Sequence, residues 1–292
     1  MDNNQKLDDL NVCPNRSEAR ITVLVTPPKD SHFTLDRNGG LVSRHKRLLN
    51  EDASDLPEDK RLAFNCTALG WGCYTDEISE YLNDLSVNGL DISKEVTDLL
   101  EHVVMLKRNH KIDRLIAYSS IPKSELYAPF DSSLIRLEYD LDLWNLDWAE
   151  SNASIFISGR PGTGKTSTAV QFAKRAILEK GYSVFRVCST ELFESFHDPS
   201  QAAKALNRAS EVDLLILDDV GYEEYYSGNT AYLHKLLDYR MRSGLPTVII
   251  TQRGLQEWMN VFDNHDVFKA IMSKFFNKAY TLDFSGRSFY SG

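Results

Sequence analysis

The residues best suited to chemistry form a glycine-rich loop between an apolar strand and a helical segment. The loop runs from Gly159 to Thr166 as GRPGTGKT and matches G-x-x-x-x-G-K-[ST] at every position. Its glycines let backbone N–H groups surround phosphate oxygens, while Lys165 neutralises the β- and γ-phosphates and the Thr166 hydroxyl ligates Mg²⁺. The loop therefore predicts a nucleoside triphosphate site. Its predicted binding residues are Gly159, Arg160, Pro161, Gly162, Thr163, Gly164, Lys165, Thr166 and Ser167.

Two adjacent acids supply the second part of this predicted site. Residues 214–217 are all apolar, and Asp218 and Asp219 follow them directly. This pattern is typical of a buried strand whose carboxyl end presents carboxylates to a ligand crevice. We predict that Asp218 holds Mg²⁺, usually through water, and that Asp219 polarises the attacking water as a general base or an orienting carboxylate. Together with the loop, these acids indicate hydrolysis of the nucleotide.

A further apolar strand ends in polar residues that can complete the site. Residues 246–253 read PTVIITQR, so Thr251 and Gln252 stand at the end of the strand. Either side chain can lie between the two acids and the γ-phosphate and hold the hydrolytic water. The alternative is an ordinary polar strand end without a role in chemistry.

The elements that position these residues alternate between strand and helix patterns in the second half of the chain. Short apolar runs are separated by helical patterns, which predicts an α/β fold with a parallel sheet and helices on both faces. The predicted strands are 154–158, 183–188, 214–217, 247–251 and 279–284.

The first part of the chain has a different pattern, which predicts a smaller mixed domain. Residues 1–20 are polar without periodicity and are expected to form a disordered tail. Residues 21–25 are typical of a strand, residues 32–42 of a hairpin, and residues 50–60 of a charged linker.

A helix over residues 93–116 follows, with Ser93 as its N-cap. Its apolar residues recur at i, i+3, i+4 and i+7, at Val96, Leu99, Leu100 and Val103. We place a domain boundary near residue 125, between an N-terminal partner-binding domain (21–125) and a nucleotide-binding domain (126–292). The alternative is that the helix packs permanently on the nucleotide-binding domain through Val96, Leu99 and Val103.

Composition and charge exclude several classes of protein. The chain has 292 residues, of which 42% are hydrophobic and 26% charged, as in a globular protein with a core. It has neither a long apolar run nor a secretory N-terminal pattern, so we expect a cytoplasmic protein without a membrane partner. The net charge of −9 argues against coating DNA by bulk electrostatics but allows a local basic groove. The four cysteines lack the usual zinc spacing and favour reduced thiols over a zinc site.

Charge is also unevenly distributed along the chain. Residues 51–101 are rich in Asp and Glu, whereas residues 107–111 read KRNHK. This reversal is typical either of a solvated acidic face followed by a basic helix end or of a surface for docking a partner.

The loop and three further runs, LLILDDVG, LDYRMRSGLPTVIITQRGLQEW and FSGRSF, resemble the AAA+ ATPases that load replicative helicases (the DnaC type) and their relatives, the IstB-type helpers of transposases. The resemblance covers about residues 105–292. It implies a P-loop AAA+ fold, with ATP and Mg²⁺ as cofactors. It also implies that ATP binds between neighbouring copies in a ring or filament that grips DNA or remodels a partner.

Residue roles can be carried over position by position from this resemblance. The positions that match the family's nucleotide site are Lys165, Thr166, Asp218 and Asp219, with Thr251 and Gln252 at its first sensor. Relatives commonly carry an arginine at the position of Lys274, where it acts on the nucleotide of a neighbouring copy. Lysine is a weaker substitute for arginine in that role. Lys269 and Arg240 are the other candidates.

The resemblance makes a helicase-loader-like ATPase acting in DNA replication the leading hypothesis for function. An IstB-type helper of a transposase is the alternative within the family. An adaptor that assembles on ATP with little turnover is an alternative of another class. The expected partners are a replicative helicase or a transposase, further copies of this chain, and DNA bound by an ATP-dependent assembly.

Overall fold

A computed structural model of the chain describes residues 21–26, 56–72, 75–85, 92–131, 135–137, 142–221, 227–254, 257 and 265–285. The strands are β1 (Ile21–Thr26), β2 (Ile135–Leu137), β3 (Ser154–Gly159), β4 (Val184–Cys188), β5 (Leu214–Asp218), β6 (Thr247–Ile250) and β7 (Ala279–Ser285). The helices are α1 (Glu58–Leu69), α2 (Thr75–Leu85), α3 (Ile92–Tyr118), α4 (Lys123–Leu126), α5 (Asp147–Glu150), α6 (Lys165–Leu178), α7 (Ser189–Glu194), α8 (Pro199–Glu211), α9 (Ser227–Arg242) and α10 (His265–Asn277).

These strands form one sheet in the order β2-β1-β7-β3-β6-β5-β4. The five strands from β7 to β4 in this order run parallel to one another. All five were predicted from the sequence, each to within about a residue of its observed bounds. The predicted α/β fold with a parallel sheet is therefore confirmed.

Side chains of the central strands alternate between two hydrophobic clusters, one on each face of the sheet. In β3, Ile155 and Ile157 lie in one cluster while Phe156 lies in the other. The first cluster includes buried residues of α3, α4, α5 and α6, and the second includes residues of α7, α8, α9 and α10. This period of two is what a strand covered on both faces requires. The sheet is therefore a rigid middle layer whose carboxyl ends can position polar groups.

The first strand does not belong to a separate N-terminal domain, which corrects the predicted boundary near residue 125. Residues 22–26 of β1 pair antiparallel with residues 281–285 of β7. Residues 21–23 also pair in parallel with β2. The strand predicted at residues 21–25 thus exists, but it extends the same sheet that carries the glycine-rich loop.

Helix α3 is also attached to the sheet through its C-terminal half. Ile116 is 3% exposed and lies in the same cluster as β3 and α6, with Ile112 and Leu115 packed beside it. Just after the helix, the Ser119 carbonyl accepts a hydrogen bond of 2.9 Å from the backbone N–H of Arg186 in β4. The α3 C-terminus is therefore part of the packed α/β unit.

The N-terminal half of α3 differs from the prediction in two ways. The helix begins at Ile92, so Ser93 lies inside it and is not its N-cap. Leu100 is buried, but Leu99 and Val103 are 60% and 38% exposed. The alternative, in which Leu99 and Val103 are buried on the nucleotide-binding core, is therefore wrong for these two side chains, because both are exposed among the described residues. This half packs on α1, where the Arg61 guanidinium donates to the Glu101 carboxylate at 2.6 Å.

Several other predictions concern residues at or beyond the limits of the described ranges. Of the charged linker predicted at 50–60, residues 58–60 belong to α1, and residues 50–55 lie outside the described residues. The predicted tail (1–20) and hairpin (32–42) lie outside the described residues. Cys66 and Cys188 are free thiols. Among the described helices, none combines the length and the apolar character needed to cross a membrane.

Candidate nucleotide-binding site

The glycine-rich loop connects the end of β3 to the first turn of α6, and its backbone requires glycine. Gly159, Gly162 and Gly164 have φ angles of 139°, 76° and 88°. Other residues rarely adopt such angles. At Gly159, an added Cβ would also lie only 2.4 Å from the carbonyl oxygen of Phe284 in β7. The loop therefore lies directly against the neighbouring strand and presents its backbone at the N-terminus of α6, where unpaired N–H groups and the helix dipole attract anions.

Lys165 is held inside this loop. Its side chain is buried, and its ammonium donates hydrogen bonds of 2.8 Å to the carbonyl oxygens of Gly159 and Arg160. Burial lowers the pKa of Lys165, while the nearby Asp219 and Asp218 carboxylates act in the opposite direction. The cation is thus already located where phosphate oxygens would replace the carbonyl acceptors. The remaining predicted loop residues Arg160, Pro161 and Ser167 are exposed, and the Thr163 hydroxyl donates to the Arg160 carbonyl at 2.8 Å.

Thr166 and Asp218, the two residues predicted to hold Mg²⁺, lie next to each other. The Thr166 hydroxyl donates to Oδ1 of Asp218 over 3.3 Å. Asp218 ends the buried strand β5, and its burial raises the pKa of the carboxyl group, whereas Arg186 acts to lower it. Two oxygen donors of this kind are suited to Mg²⁺.

The two oxygen donors also indicate which other ligands a bound Mg²⁺ would take. Within the part of the chain that the structure describes, no three or more His, Cys, Asp or Glu residues cluster as a metal site. Magnesium bound by one hydroxyl and one carboxylate keeps several waters and takes its other ligands from phosphate oxygens. The residues present therefore fit a metal that arrives with a nucleotide and not one bound by protein ligands alone.

Asp219 is held by a tight turn directly after β5. Its φ angle is 56°, a left-handed conformation that is uncommon for a residue other than glycine. Its backbone N–H donates to Oδ1 of Asp218 at 3.1 Å, and its carbonyl accepts from the Ser189 hydroxyl at 3.0 Å. Its own Oδ1 accepts a hydrogen bond of 3.1 Å from the Gln252 amide. These contacts aim the carboxylate toward the end of β6.

The two candidate residues at the end of β6 have different surroundings. Thr251 is fully buried; its backbone N–H donates to the Ile157 carbonyl at 2.9 Å, and its hydroxyl accepts from the Arg253 N–H at 3.2 Å. Gln252 is the residue that contacts Asp219. The structure thus brings Gln252 to the second acid, and Thr251 joins β6 to β3.

The candidates for acting on a neighbouring nucleotide lie apart from this cluster. Arg240 is completely buried, and its guanidinium donates to the carbonyl oxygens of Ala209, Val212 and Pro246 at 2.7–2.8 Å. It therefore holds α8, α9 and β6 together and cannot reach another chain. Lys274 is exposed on α10 in a surface cleft whose other lining residues are Asp238, Met241, Arg242, Asn277 and Lys278.

Sequence reasoning missed two residues at the site, Arg186 and Glu125. Arg186 of β4 donates to Oδ2 of Asp218 from Nη2 at 2.8 Å and from Nε at 3.0 Å. Its Nη1 lies 2.5 Å from a carboxylate oxygen of Glu125 in α4. A signal was present for Arg186, because an arginine inside an otherwise apolar strand, VFRVC, needs an acidic partner when buried. Glu125 carries no such local signal.

Comparison with known proteins identifies relatives of this chain. The family described as IstB-like ATP binding protein matches residues 75–291. An insertion-sequence protein of Sinorhizobium fredii, named as ATP-binding, is 22% identical over 210 residues, which are 69% of this chain and 69% of that protein. The replicative helicase loader DnaC of Escherichia coli K12 is 28% identical over 110 residues, 36% of this chain and 44% of DnaC. The chain thus spans less than half the length of that loader.

A crystal structure of DnaI has a TM-score of 0.49 and 22% identity to the chain, covering 60% of this chain and 98% of that one. The family match carries the assignment, because it extends over most of the chain and includes the loop, both acids and Gln252. The resemblance seen in the sequence motifs is confirmed: the chain belongs to the family of IstB-like ATP-binding proteins.

Proposed function

We propose that this protein binds ATP together with Mg²⁺ and hydrolyses it. The observation that carries the proposal is that polar groups from three separate parts of the chain meet at the carboxyl ends of β3, β5 and β6. The Lys165 ammonium interacts electrostatically with both acids, the Thr166 hydroxyl reaches Asp218, and the Gln252 amide reaches Asp219. A fold that only bound phosphate would not need the second acid and its amide partner.

In this proposal each group has a separate task. The loop N–H groups and Lys165 bind the phosphates, and Lys165 offsets the negative charge that develops on them. Thr166 and Asp218 hold Mg²⁺, which when bound polarises the phosphate oxygens. Asp219 accepts a hydrogen bond from the attacking water, and Gln252 fixes the carboxylate that does so. Thr251 keeps β6 in register with β3 at this point.

Two variants test this assignment. Lys165→Ala should abolish binding of a fluorescent ATP analogue, since it removes the phosphate-binding cation. Asp219→Asn should keep binding and lose turnover, because the amide no longer accepts the water proton. Lys174→Ala, on the same helix α6 but beside the Tyr127 ring, is the control and should behave as wild type. Wild-type hydrolysis by both Lys165→Ala and Asp219→Asn would contradict the assigned site.

We further propose that copies of the chain act on one another's nucleotide through Lys274. The position is exposed on α10, as a residue that reaches a neighbouring copy must be. Lys274→Ala and Asp219→Asn should each lose hydrolysis alone, whereas their mixture should recover part of it. Recovery is expected because one variant supplies an intact site and the other supplies the lysine. A mixture no more active than its components would show that Lys274 does not act between copies.

For the biological role we propose loading of a replicative helicase, with assistance of a transposase as the second candidate. The DnaC relative supports the first, since its name states that role. The family match and the insertion-sequence relative support the second. The family match also includes α2 and α3, because it begins at residue 75. Pull-down from the native host with and without ATP, followed by identification of the captured protein, separates the two. A helicase supports the first role and a transposase the second.

The third hypothesis, an adaptor with dispensable turnover, makes a different prediction for one variant. Asp219→Asn should retain biological activity if assembly alone matters, and should lose it if each cycle requires hydrolysis. DNA binding by the free monomer should be weak and strongly dependent on salt, given the net charge of −9. Binding should strengthen when ATP drives assembly, and tight binding by a nucleotide-free monomer would argue against this mode.

A further inference from the structure

The two oxygens of the Asp218 carboxylate accept hydrogen bonds from different groups. Oδ1 accepts from the Thr166 hydroxyl at 3.3 Å and from the Asp219 backbone N–H at 3.1 Å. Oδ2 accepts from Arg186, through Nη2 at 2.8 Å and Nε at 3.0 Å. The arginine therefore contacts the side of the carboxylate that faces away from the loop. This leaves Oδ1 directed at the hydroxyl with which it would share the metal.

We propose that Arg186 is a positioning residue that holds the Asp218 carboxylate in its Mg²⁺-binding orientation, and that Glu125 keeps Arg186 in place. This inference rests on the proposed ATP–Mg²⁺ function. Groups that hydrogen-bond a metal-ligating carboxylate fix its orientation, and their loss weakens metal binding by about 10- to 100-fold.

Burial explains why the carboxylate depends on this arginine. The Asp218 side chain is 5% exposed and that of Arg186 is 20% exposed, so little water can replace the guanidinium at Oδ2. A buried carboxylate oxygen without a donor is costly, and the side chain would turn toward another cation. Without Arg186 the carboxylate is therefore expected to turn away from its metal-binding orientation.

Arginine is better suited to this place than lysine. The Arg186 guanidinium contacts two carboxylates at once. Nη2 and Nε donate to Asp218, and Nη1 lies 2.5 Å from Glu125. An ammonium is a single point of charge and cannot maintain both contacts in a fixed geometry. The position on β4 also matters, because Cys188 pairs with Asp218 across the two strands. Arg186 precedes that pair by two residues, on the same face of the sheet as Asp218.

Glu125 links this contact to the segment that follows α3. The same segment binds the backbone of Arg186, whose N–H donates to the Ser119 carbonyl at 2.9 Å. Main chain and side chain of Arg186 are thus both fixed by residues 119–125. Glu125 is 45% exposed, so solvent screens its interaction with Arg186 and its effect should be smaller than that of Arg186 itself.

The test measures the Mg²⁺ dependence of binding for a fluorescent, non-hydrolysable ATP analogue, at one pH, in the full chain. Binding is measured first in EDTA and then over a series of Mg²⁺ concentrations. Arg186→Gln should raise the Mg²⁺ concentration for half-maximal enhancement about tenfold or more. Its affinity in EDTA should stay within about twofold of wild type, which a misfolded variant would not achieve. Arg175→Gln, which removes a half-exposed arginine paired with Glu179, is the matched control and should show no shift.

Two further variants separate position from charge. Arg186→Lys keeps the charge, so positioning predicts that it too shifts the Mg²⁺ requirement, by several-fold. Glu125→Gln should shift it about two- to fivefold, and Glu179→Gln should leave it unchanged. A Lys variant equal to wild type would overturn the proposal, because charge alone would then suffice. Tighter Mg²⁺ binding in Arg186→Gln would also overturn it, since the arginine would then act by repelling the ion.

The same measurement distinguishes failure of this inference from failure of the proposed function. Wild-type protein that binds the analogue and responds to Mg²⁺ supports the function, and an unshifted Arg186→Gln then rejects only the role of Arg186. Wild-type protein that does not bind the analogue, or binds it without any Mg²⁺ effect, would overturn both.

Discussion

Replacing Ile116 by alanine should destabilise the α/β unit by about 2–5 kcal/mol, the range for truncating a large aliphatic side chain in a core. Ile116 is 3% exposed in the hydrophobic cluster that contains Ile155 of β3 and Phe172 of α6. Its removal leaves a cavity between α3 and the sheet that the rigid β-layer cannot close. The prediction follows from α3 being part of this unit and not of a separate domain.

Leu99→Ala is the matched control because it removes a similar side chain from the same helix. Leu99 is 60% exposed, so its truncation should change stability by no more than about 0.5 kcal/mol. Leucine and isoleucine differ in helix propensity by less than about 0.7 kcal/mol, so helix propensity cannot account for a difference of about 2 kcal/mol or more between the variants. The comparison isolates the contact between α3 and the core.

Urea unfolding followed by circular dichroism, together with binding of a fluorescent ATP analogue, measures both effects. If Ile116→Ala unfolded at the same urea concentration as Leu99→Ala, the attachment of α3 would be refuted and a boundary near residue 125 restored.

A chain starting at Ile121 extends the same test, because it lacks Ile112, Leu115 and Ile116. Full burial of such a side chain contributes roughly 1.5–3 kcal/mol. Ile112 and Leu115 are partly buried and contribute less, but the summed loss is still a large fraction of a typical total stability of about 5–15 kcal/mol. We expect this shortened chain to be unfolded or aggregated.

Three more substitutions test two residues of the site and the buried arginine outside it. Gly159→Ala should destabilise the fold by about 1–3 kcal/mol, because its Cβ would lie 2.4 Å from the Phe284 carbonyl. It should lower the melting temperature and impair nucleotide binding, and an unchanged melting curve would contradict this. Arg240→Leu should destabilise by more than about 3 kcal/mol since several buried carbonyls lose their donor, whereas the exposed Arg242→Leu should cost no more than about 1 kcal/mol in the same denaturation assay. Gln252→Ala should retain analogue binding and reduce steady-state hydrolysis about ten- to hundredfold, because Asp219 loses its fixed orientation; full turnover would exclude that role.

The parallel strands and the loop could be predicted because their signals are local. Each central strand is a short apolar run bounded by polar or turn residues, and such runs have few alternatives between helical patterns. The loop motif fixes residue types at fixed spacing, and the strand before it and the helix after it set its geometry. The observed bounds of β3, Ser154–Gly159, and of α6, Lys165–Leu178, follow directly from that pattern.

The place of β1 could not be predicted for a different reason. The apolar run of β1 correctly predicts a strand, but its residues do not indicate which strand pairs with it in the sheet. One neighbour is β2, and the other is β7, near the other end of the chain, with which β1 pairs antiparallel in an otherwise parallel sheet. Likewise the spacing of Leu99, Leu100 and Val103 shows which residues share a helix face. It does not show how far the covering element extends along that face.

The arginines show most clearly what a residue type alone leaves open. Arg240 lies near the end of α9 and Arg186 in the middle of β4, and either could be assigned from its type to a neighbouring nucleotide or to solvent. Strand register narrows the choice for Arg186, because an arginine in an apolar strand needs an acid and the adjacent parallel strand ends in Asp218. No such reasoning applies to Arg240, whose acceptors are the Thr247 hydroxyl and several backbone carbonyls at the C-terminal end of α8 and before β6. A carbonyl is present at every residue, so only the assembled fold determines which of them a buried guanidinium satisfies.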